Sequence, residues 1–361
     1  MALSYTRRPA KRGAIYESTQ NVSSGTGKKR NVFLRFLTYF VPVKGDGVGE
    51  GIRKVVFTVA LVCFLFFGST VGIDLFNEYR AVLLGNENRG KIGLAIDEDD
   101  PDIQTLIKPE AKPLPDYLAL YKENNDMVGW VRIGDTVVDY AVCQTDNNDY
   151  YLDHDFRGNY SKGGNIFADC KNVFDGYEIS DNTVLYGHNI MTGYYFTKVS
   201  RYYMDTVKND LTWYRNYPVI QFDTLYEKSE WKVFACVLFN TQEKYGEVYP
   251  YHKIYNFGDK DAFNGFILDI MDRSVLLTDV DLEYGDKILT LSTCYYPMGK
   301  GVDTRSVVFA RKVREGESSS VNTDKAFYNN KELRFDEQKA RYGSNWNGRV
   351  WDTSYLRSYG D

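Results

Sequence analysis

The longest uninterrupted apolar run in the chain is residues 55–73, VVFTVALVCFLFFGSTVGI, with no charge in it. As a helix its 19 residues reach about 28 Å, roughly one hydrocarbon thickness. The pattern lets this helix continue through 74–89. Residues 96–115 then read as an extended spacer, because an acid run (DEDDPD) is followed by Pro109, Pro113 and Pro115 after Pro101. Asp116 reads as the N-cap of a short amphipathic helix, YLALYKEN, where folded sequence is expected to begin. From 129 to 313 the text is mostly strand-like. Short β-branched or aromatic runs bounded by Gly, Asn, Asp or Pro fall at 129–133, 137–142, 165–168, 183–186, 219–223, 231–238, 287–293 and 306–313. One amphipathic helix interrupts them at 261–273, with Phe263, Phe266, Ile267, Ile270 and Met271 on a single face. Eight strands with few helices predict a mainly β fold, a closed or nearly closed barrel that leaves no exposed edge. Beyond 313 the periodicity stops. Residues 314–361 hold Gly, Ser, Asn and scattered charge around isolated Trp346 and Trp351, and are expected to be flexible or loosely docked.

Charge divides the chain at the apolar run. The 361 residues sum to −5, but residues 1–54 hold eleven Lys/Arg against Glu17, Asp46 and Glu50, a net of +8, which leaves −13 for the remainder. A basic flank on one side predicts a single-pass anchor at 55–73 with its N-terminus in the cytoplasm and the acidic part exported. A buried core helix and a cleaved signal peptide, with Gly68-Ser69-Thr70 as a weak exit, are the alternatives. The basic tail is a topology determinant by this reading rather than a nucleic-acid site. Three histidines and five cysteines argue against a zinc ribbon or a disulfide scaffold, and no G-x-G-x-x-G or P-loop pattern supports a nucleotide enzyme.

The cysteines separate by position. Cys63 lies in the apolar run, and Cys143 and Cys236 sit in apolar strands as buried thiols. Cys170 follows a strand end with nothing reactive beside it in sequence. Pairing among the exported cysteines stays open. Cys294 closes the strand ending Thr290-Leu291-Ser292-Thr293-Cys294 just before a loop, held by a rigid element yet open to substrate. A nucleophilic thiol wants an imidazole nearby. Among His154, His188 and His252, only His188 also ends a strand, after Tyr186 and a Gly187 that permits a sharp turn. His154 reads as a turn or surface residue and His252 as a loop residue. Arg305 precedes the last strand, so a hairpin through 295–304 would set it beside Cys294, where a guanidinium can hold an oxyanion. Its plainer reading is a surface residue paired with Asp303.

Taken together, Thr290-Leu291-Ser292-Thr293-Cys294, Arg305 on the next strand and Tyr186-Gly187-His188-Asn189 resemble the sortase family. Val128-Gly129-Trp130-Val131-Arg132-Ile133, Asp146-Asn147-Asn148-Asp149-Tyr150-Tyr151-Leu152, and His154-Asp155-Phe156 running to Gly164-Asn165-Ile166-Phe167 are similar to the class B branch, as is the helix before the final hairpin. The resemblance covers 116–313 and implies an eight-stranded sortase barrel outside a Gram-positive-type membrane. It implies a cysteine transpeptidase (a thiol peptidase and acyltransferase) in which Cys294 attacks a threonine carbonyl in a C-terminal sorting motif of secreted proteins, of Asn-Pro type in class B. An amine acceptor, peptidoglycan precursor or pilin lysine, then resolves the thioacyl-enzyme. His188 is implied as general acid and base, Arg305 as the oxyanion holder, and Asn148, Leu152, Tyr186 and Ser292 as the substrate groove. No cofactor and no metal are implied. Tyr140-Ala141-Val142-Cys143 replaces the usual proline-containing version, Tyr295 stands where some relatives carry an acid, and the extension 314–361 has no counterpart. The competing readings are a hydrolytic cysteine peptidase of the envelope and a non-enzymatic envelope protein on the same barrel.

Overall fold

The computed structural model describes residues 38–96, 99–108 and 110–359. Most of the basic segment expected at 1–54, together with Asp97 and Glu98 of the acid run and Pro109, lies outside the described residues. The chain forms two units, Met1–Thr70 and Val71–Asp361. A helix, Val48–Lys91, runs through both; by length and composition it is able to cross a membrane. In the first unit its start is tied to the preceding turn: Lys54 meets Asp46 at 3.0 Å, and Thr58 Oγ1 donates to the Phe40 carbonyl at 2.6 Å.

The second unit is built on strands β1 (Met127–Arg132), β2 (Asp139–Cys143), β3 (Ile166–Ala168), β4 (Phe174–Asp175), β5 (Glu178–Ile179), β6 (Asn182–Tyr186), β7 (Val219–Thr224), β8 (Glu230–Asn240), β9 (Leu276–Leu277), β10 (Ile288–Cys294), β11 (Thr304–Lys312) and β12 (Phe327–Tyr328). Eight of them close a barrel in the order β1-β2-β3-β6-β10-β11-β8-β7, while β4–β5 and β9–β12 form small separate pairs. The barrel strands are the eight the sequence pattern picks out, with ends moved by one or two residues. Most neighbours are antiparallel, but β10 runs parallel to β6 and β2 parallel to β3. Closure leaves no barrel edge unpaired, so short strands suffice.

Two apolar layers explain the strand text. Val131, Val142, Leu185, Leu289, Leu291 and Val308 fill the barrel interior. Outside it, Phe234, Val237 and Phe309 meet Phe263, Phe266, Ile267, Ile270 and Met271 of helix Lys260–Arg273. Strand β8 is therefore covered on both faces and reads as an unbroken apolar run rather than an alternation. The helix starts where Asp259 accepts from the Ala262 amide at 2.8 Å, a side-chain N-cap.

Three expectations are corrected. Residues 96–115 are not a free spacer: Pro101–Gln104 forms a helical turn capped by Asp100, Ile103, Leu106 and Ala111 are buried, and the Leu114 amide donates to Leu225 at 2.7 Å. Proline at the first position of a turn starts helix rather than blocking it. Asp116 does not cap the next helix; Leu118–Glu123 begins without a side-chain cap, and Asp116 meets Lys228 at 3.1 Å. Residues 314–359 are neither flexible nor loose. β12 pairs with β9, the Leu333 amide donates to Asp272 at 2.7 Å, Leu282 and Tyr355 share a 2.8 Å bond, and Trp351 and Leu356 are buried. The contacts are single residues spread along an irregular path, which leaves no period to read. Helices Ser200–Thr206 and Thr212–Asn216 escape the pattern because their apolar content is aromatic and their turns few.

Candidate active site

Strand register builds the site. In the antiparallel β10–β11 pair Cys294 lies opposite Arg305. In the parallel β10–β6 pair Ser292 lies opposite Tyr186, and parallel strands advance together, so two residues further on His188 comes level with Cys294. Side chains lock this arrangement. Thr293 Oγ1 donates to the Gly187 carbonyl at 2.7 Å, and Asn189 Nδ2 donates to the Cys294 carbonyl at 2.8 Å. Gly187 is required for a different reason from the one its turn position implies. Its φ is not in the left-handed region; a Cβ there would stand 2.5 Å from Ile166 Cδ1 and 2.7 Å from the Phe196 ring. Close packing, not turn geometry, demands glycine.

The result is a cleft of about 220 Å³ lined by Asn148, Leu152, Phe167, Tyr186, Gly187, His188, Ser292, Thr293, Cys294 and Arg305. All seven residues singled out in sequence are among them. His188 Nε2 lies 2.7 Å from the Leu152 carbonyl. A carbonyl only accepts, so Nε2 is the donor in this hydrogen bond. Arg305 Nη1 donates to Asp303 Oδ1 at 2.5 Å and to the Thr304 carbonyl at 3.1 Å. Arg305 thus pairs with Asp303 and also lines the cleft, opposite Cys294 in the strand register. Burial works against its charge, but the Asp303 hydrogen bond and the neighbouring Cys294 sulfur raise it above the ordinary arginine value. Burial likewise opposes Asp303, whose carboxyl is nonetheless held low by hydrogen bonds from Arg305 and Thr241.

Around this centre stand residues that sequence reasoning missed. Tyr251, from the turn Tyr251–Lys253, shares a 2.8 Å hydrogen bond with Ser292, and burial pushes its phenol up to about 12. Tyr296 has its phenol raised by burial first and then by a hydrogen bond to Cys294. Tertiary structure brings Tyr251 there, whereas Tyr296 follows Cys294 closely in the chain and is set apart from Tyr295 only by which way its ring turns. Tyr295, next to Cys294 in sequence, instead packs its ring edge-on against Tyr203 at 6.0 Å. His154 stacks on Tyr150 at 4.2 Å, a surface role. His252 is lowered by burial and then by Lys253. All five cysteines are free, and burial pushes the Cys143 and Cys236 thiols well up, which keeps them inert. Cys294, half-buried, therefore shares one cleft with the Arg305 guanidinium and the His188 imidazole, a set of groups with the chemistry of nucleophilic acyl transfer.

No family model matches this chain. The chain is 28% identical over 237 residues to Sortase B of Listeria monocytogenes, covering 65% of this chain and 87% of that protein. It is 29% identical over 180 residues to Sortase B of Staphylococcus aureus, covering 50% and 68%. Among solved structures, sortase B from B. anthracis superimposes with a TM-score of 0.52 at 25% identity, over 67% of this chain and 98% of that one.

Proposed function

The chain belongs to the class B sortases and is a cysteine transpeptidase, and from that premise we propose that Cys294, His188 and Arg305 are its catalytic residues. The Cys294 thiol gives its proton to His188 as its sulfur attacks the threonine carbonyl of an Asn-Pro-type sorting motif near a secreted protein's C-terminus. A C–S bond forms and the carbonyl oxygen takes up negative charge against the Arg305 guanidinium. The C–N bond then breaks, and the departing amine takes its proton from His188. An incoming amine gives a proton to His188, attacks the thioester and releases Cys294, leaving a new amide. Asn148, Leu152, Tyr186 and Ser292 form the groove that holds the motif. The observation that carries this reading is that thiol, imidazole and guanidinium line one cleft, brought level by two strand pairings.

The acceptor is a peptidoglycan-precursor amine or a pilin lysine. The enzyme is held at the cell membrane of a Gram-positive-type envelope by residues 55–73, the N-terminus cytoplasmic and the barrel outside. Spheroplasts treated with an external protease should lose the barrel and keep the basic segment; the reverse fragment pattern contradicts this topology.

Incubating the detergent-solubilised chain with an Asn-Pro-type peptide, with and without a peptide amine, tests the reaction. A ligated product that depends on the amine is expected. Cleavage at the same rate with or without the amine, and no ligation, would make it a hydrolytic peptidase instead.

Gly187→Ala gives a second test. The new methyl must displace Ile166 or Phe196 and with them the start of the His188 loop. Stability should fall by about 1–3 kcal/mol, and turnover by about tenfold or more, because reacting groups tolerate little misplacement. Wild-type turnover from Gly187→Ala would show that His188 does not need its present position.

A further inference from the structure

Beneath the cleft sits a carboxylate that is not among its lining residues. Asp169 directly follows β3 and is 1% exposed. Its backbone is fixed from two sides: its amide donates to the Val184 carbonyl at 2.9 Å, and its carbonyl accepts from Gln144 Nε2 at 2.8 Å. Its carboxylate collects donors. Oδ2 accepts from Asn148 Nδ2 at 2.9 Å and from the Tyr186 hydroxyl at 2.8 Å, and Oδ1 accepts from the Lys171 amide at 2.9 Å. The Tyr255 hydroxyl also hydrogen-bonds to it. A carboxylate this deep is costly unless its lone pairs are filled, and here they are. Two of the donors, Asn148 and Tyr186, are walls of the cleft that holds Cys294.

We propose that Asp169 is a positioning residue for the substrate groove, setting which hydrogen-bonding atoms Asn148 and Tyr186 turn toward the substrate. This rests on the reading of the cleft as a transpeptidase site. An ionised carboxylate can only accept, so it decides the orientation of both partners. Asn148 must direct its amide nitrogen at Asp169, and its Oδ1 accepts from the Cys170 amide at 2.8 Å. The second Nδ2 proton is thereby left for the cleft. Tyr186 spends its single proton on Asp169 and meets the cleft as an acceptor only. The groove therefore presents one donor and one acceptor on adjacent walls, a pair that matches the C=O and N–H of an amide. Burial first, and then the Asp169 charge, raise the Tyr186 phenol, so it stays protonated and keeps donating inward. Lost charge at 169 would free both partners to reverse, mixing the polarity of the groove while leaving the thiol alone.

The experiment is Asp169→Asn in the full chain, assayed with a fluorogenic Asn-Pro-type peptide and, separately, with a charged methanethiosulfonate reagent on Cys294. KM should rise about tenfold, the loss of one or two charge-assisted hydrogen bonds. The kcat should stay within about threefold, and the rate of Cys294 modification should not change. Tyr186→Phe should add little to Asp169→Asn, because the two changes remove the same hydrogen bond. An unchanged KM, or losses that add in the double variant, would overturn the proposal and leave Asp169 a packing residue. If Asp169→Asn does not fold, Tyr186→Phe alone decides: a raised KM at constant kcat supports the proposal and an unchanged KM overturns it. Failure of the underlying reading looks different, since the wild-type chain would then not turn the peptide over at all.

Discussion

Cys294→Ala should show no thioacyl-enzyme by intact-protein mass spectrometry after incubation with the sorting-motif peptide, and turnover should fall by at least about 10⁴-fold. The size follows from the chemistry: without the sulfur no covalent intermediate forms, and water is the only nucleophile left. Stability should hardly move, because the half-buried thiol sits at a strand end and its removal leaves a shallow gap rather than a sealed cavity, a change expected to stay under about 1 kcal/mol. Arg305→Lys separates charge from shape. A lysine keeps the positive charge but not the fork that holds Asp303 while facing the cleft. A drop of about 10²–10³ in kcat, the usual cost of a lost oxyanion donor, is expected. Turnover by Cys294→Ala above background would remove the nucleophile assignment, and a fully active Arg305→Lys would return Arg305 to an ordinary surface pair.

Much of this was legible from the letters because strand ends are legible. A barrel strand is a short apolar run that stops at a turn residue, and Cys294 and Tyr186 each stand at such a stop. Hairpin logic alone placed Arg305 opposite Cys294. The parallel pairing of β6 with β10 was not legible, since nothing local distinguishes a parallel neighbour from an antiparallel one. His188 therefore entered by its strand-end position and by family resemblance rather than by geometry. Asp169 shows the opposite limit. In sequence it is one acid among many after a three-residue strand, and its meaning comes from partners 21 and 17 residues away. The same holds for Tyr251, 41 residues from Ser292. Residues whose role is to hold others have no pattern of their own. The spacer and the C-terminal extension were misjudged for a related reason. Both are anchored by single side chains and isolated backbone bonds, and periodicity cannot register contacts that do not repeat.

The extension makes its strongest contribution at its start, and replacing Glu317 should expose it. Arg311 on β11 is fully buried, and Lys232 on β8 nearly so. Glu317 accepts from Arg311 through both oxygens at 2.7 Å, from Lys232 at 2.5 Å and from the Arg314 amide at 3.0 Å. Asp281 is the other acid paired with Arg311, at a longer 3.3 Å. Glu317→Ala strands two cations in the protein interior with part of their countercharge gone. Breaking a buried pair from one side costs about 3–5 kcal/mol, and Asp281 keeps the expectation near 3. For a domain of this size that is a fall of about 6–12 °C in Tm. The pH dependence has a definite sign. Hydrogen bonds from Arg311, opposed by burial and helped by Lys232, hold the Glu317 carboxyl far below its unfolded value, which is about 4.3. A depressed carboxylate stabilises fully above its unfolded pKa and loses that contribution as pH falls toward the folded one. The stability gap between wild type and Glu317→Ala should therefore be constant from neutral pH down to about 5 and narrow below about 4. Equal Tm values at pH 7 would mean that Arg311 and Lys232 are neutralised without residue 317, and that the chain beyond β11 is dispensable to the barrel. A gap that widens in acid would mean that another group carries the linkage.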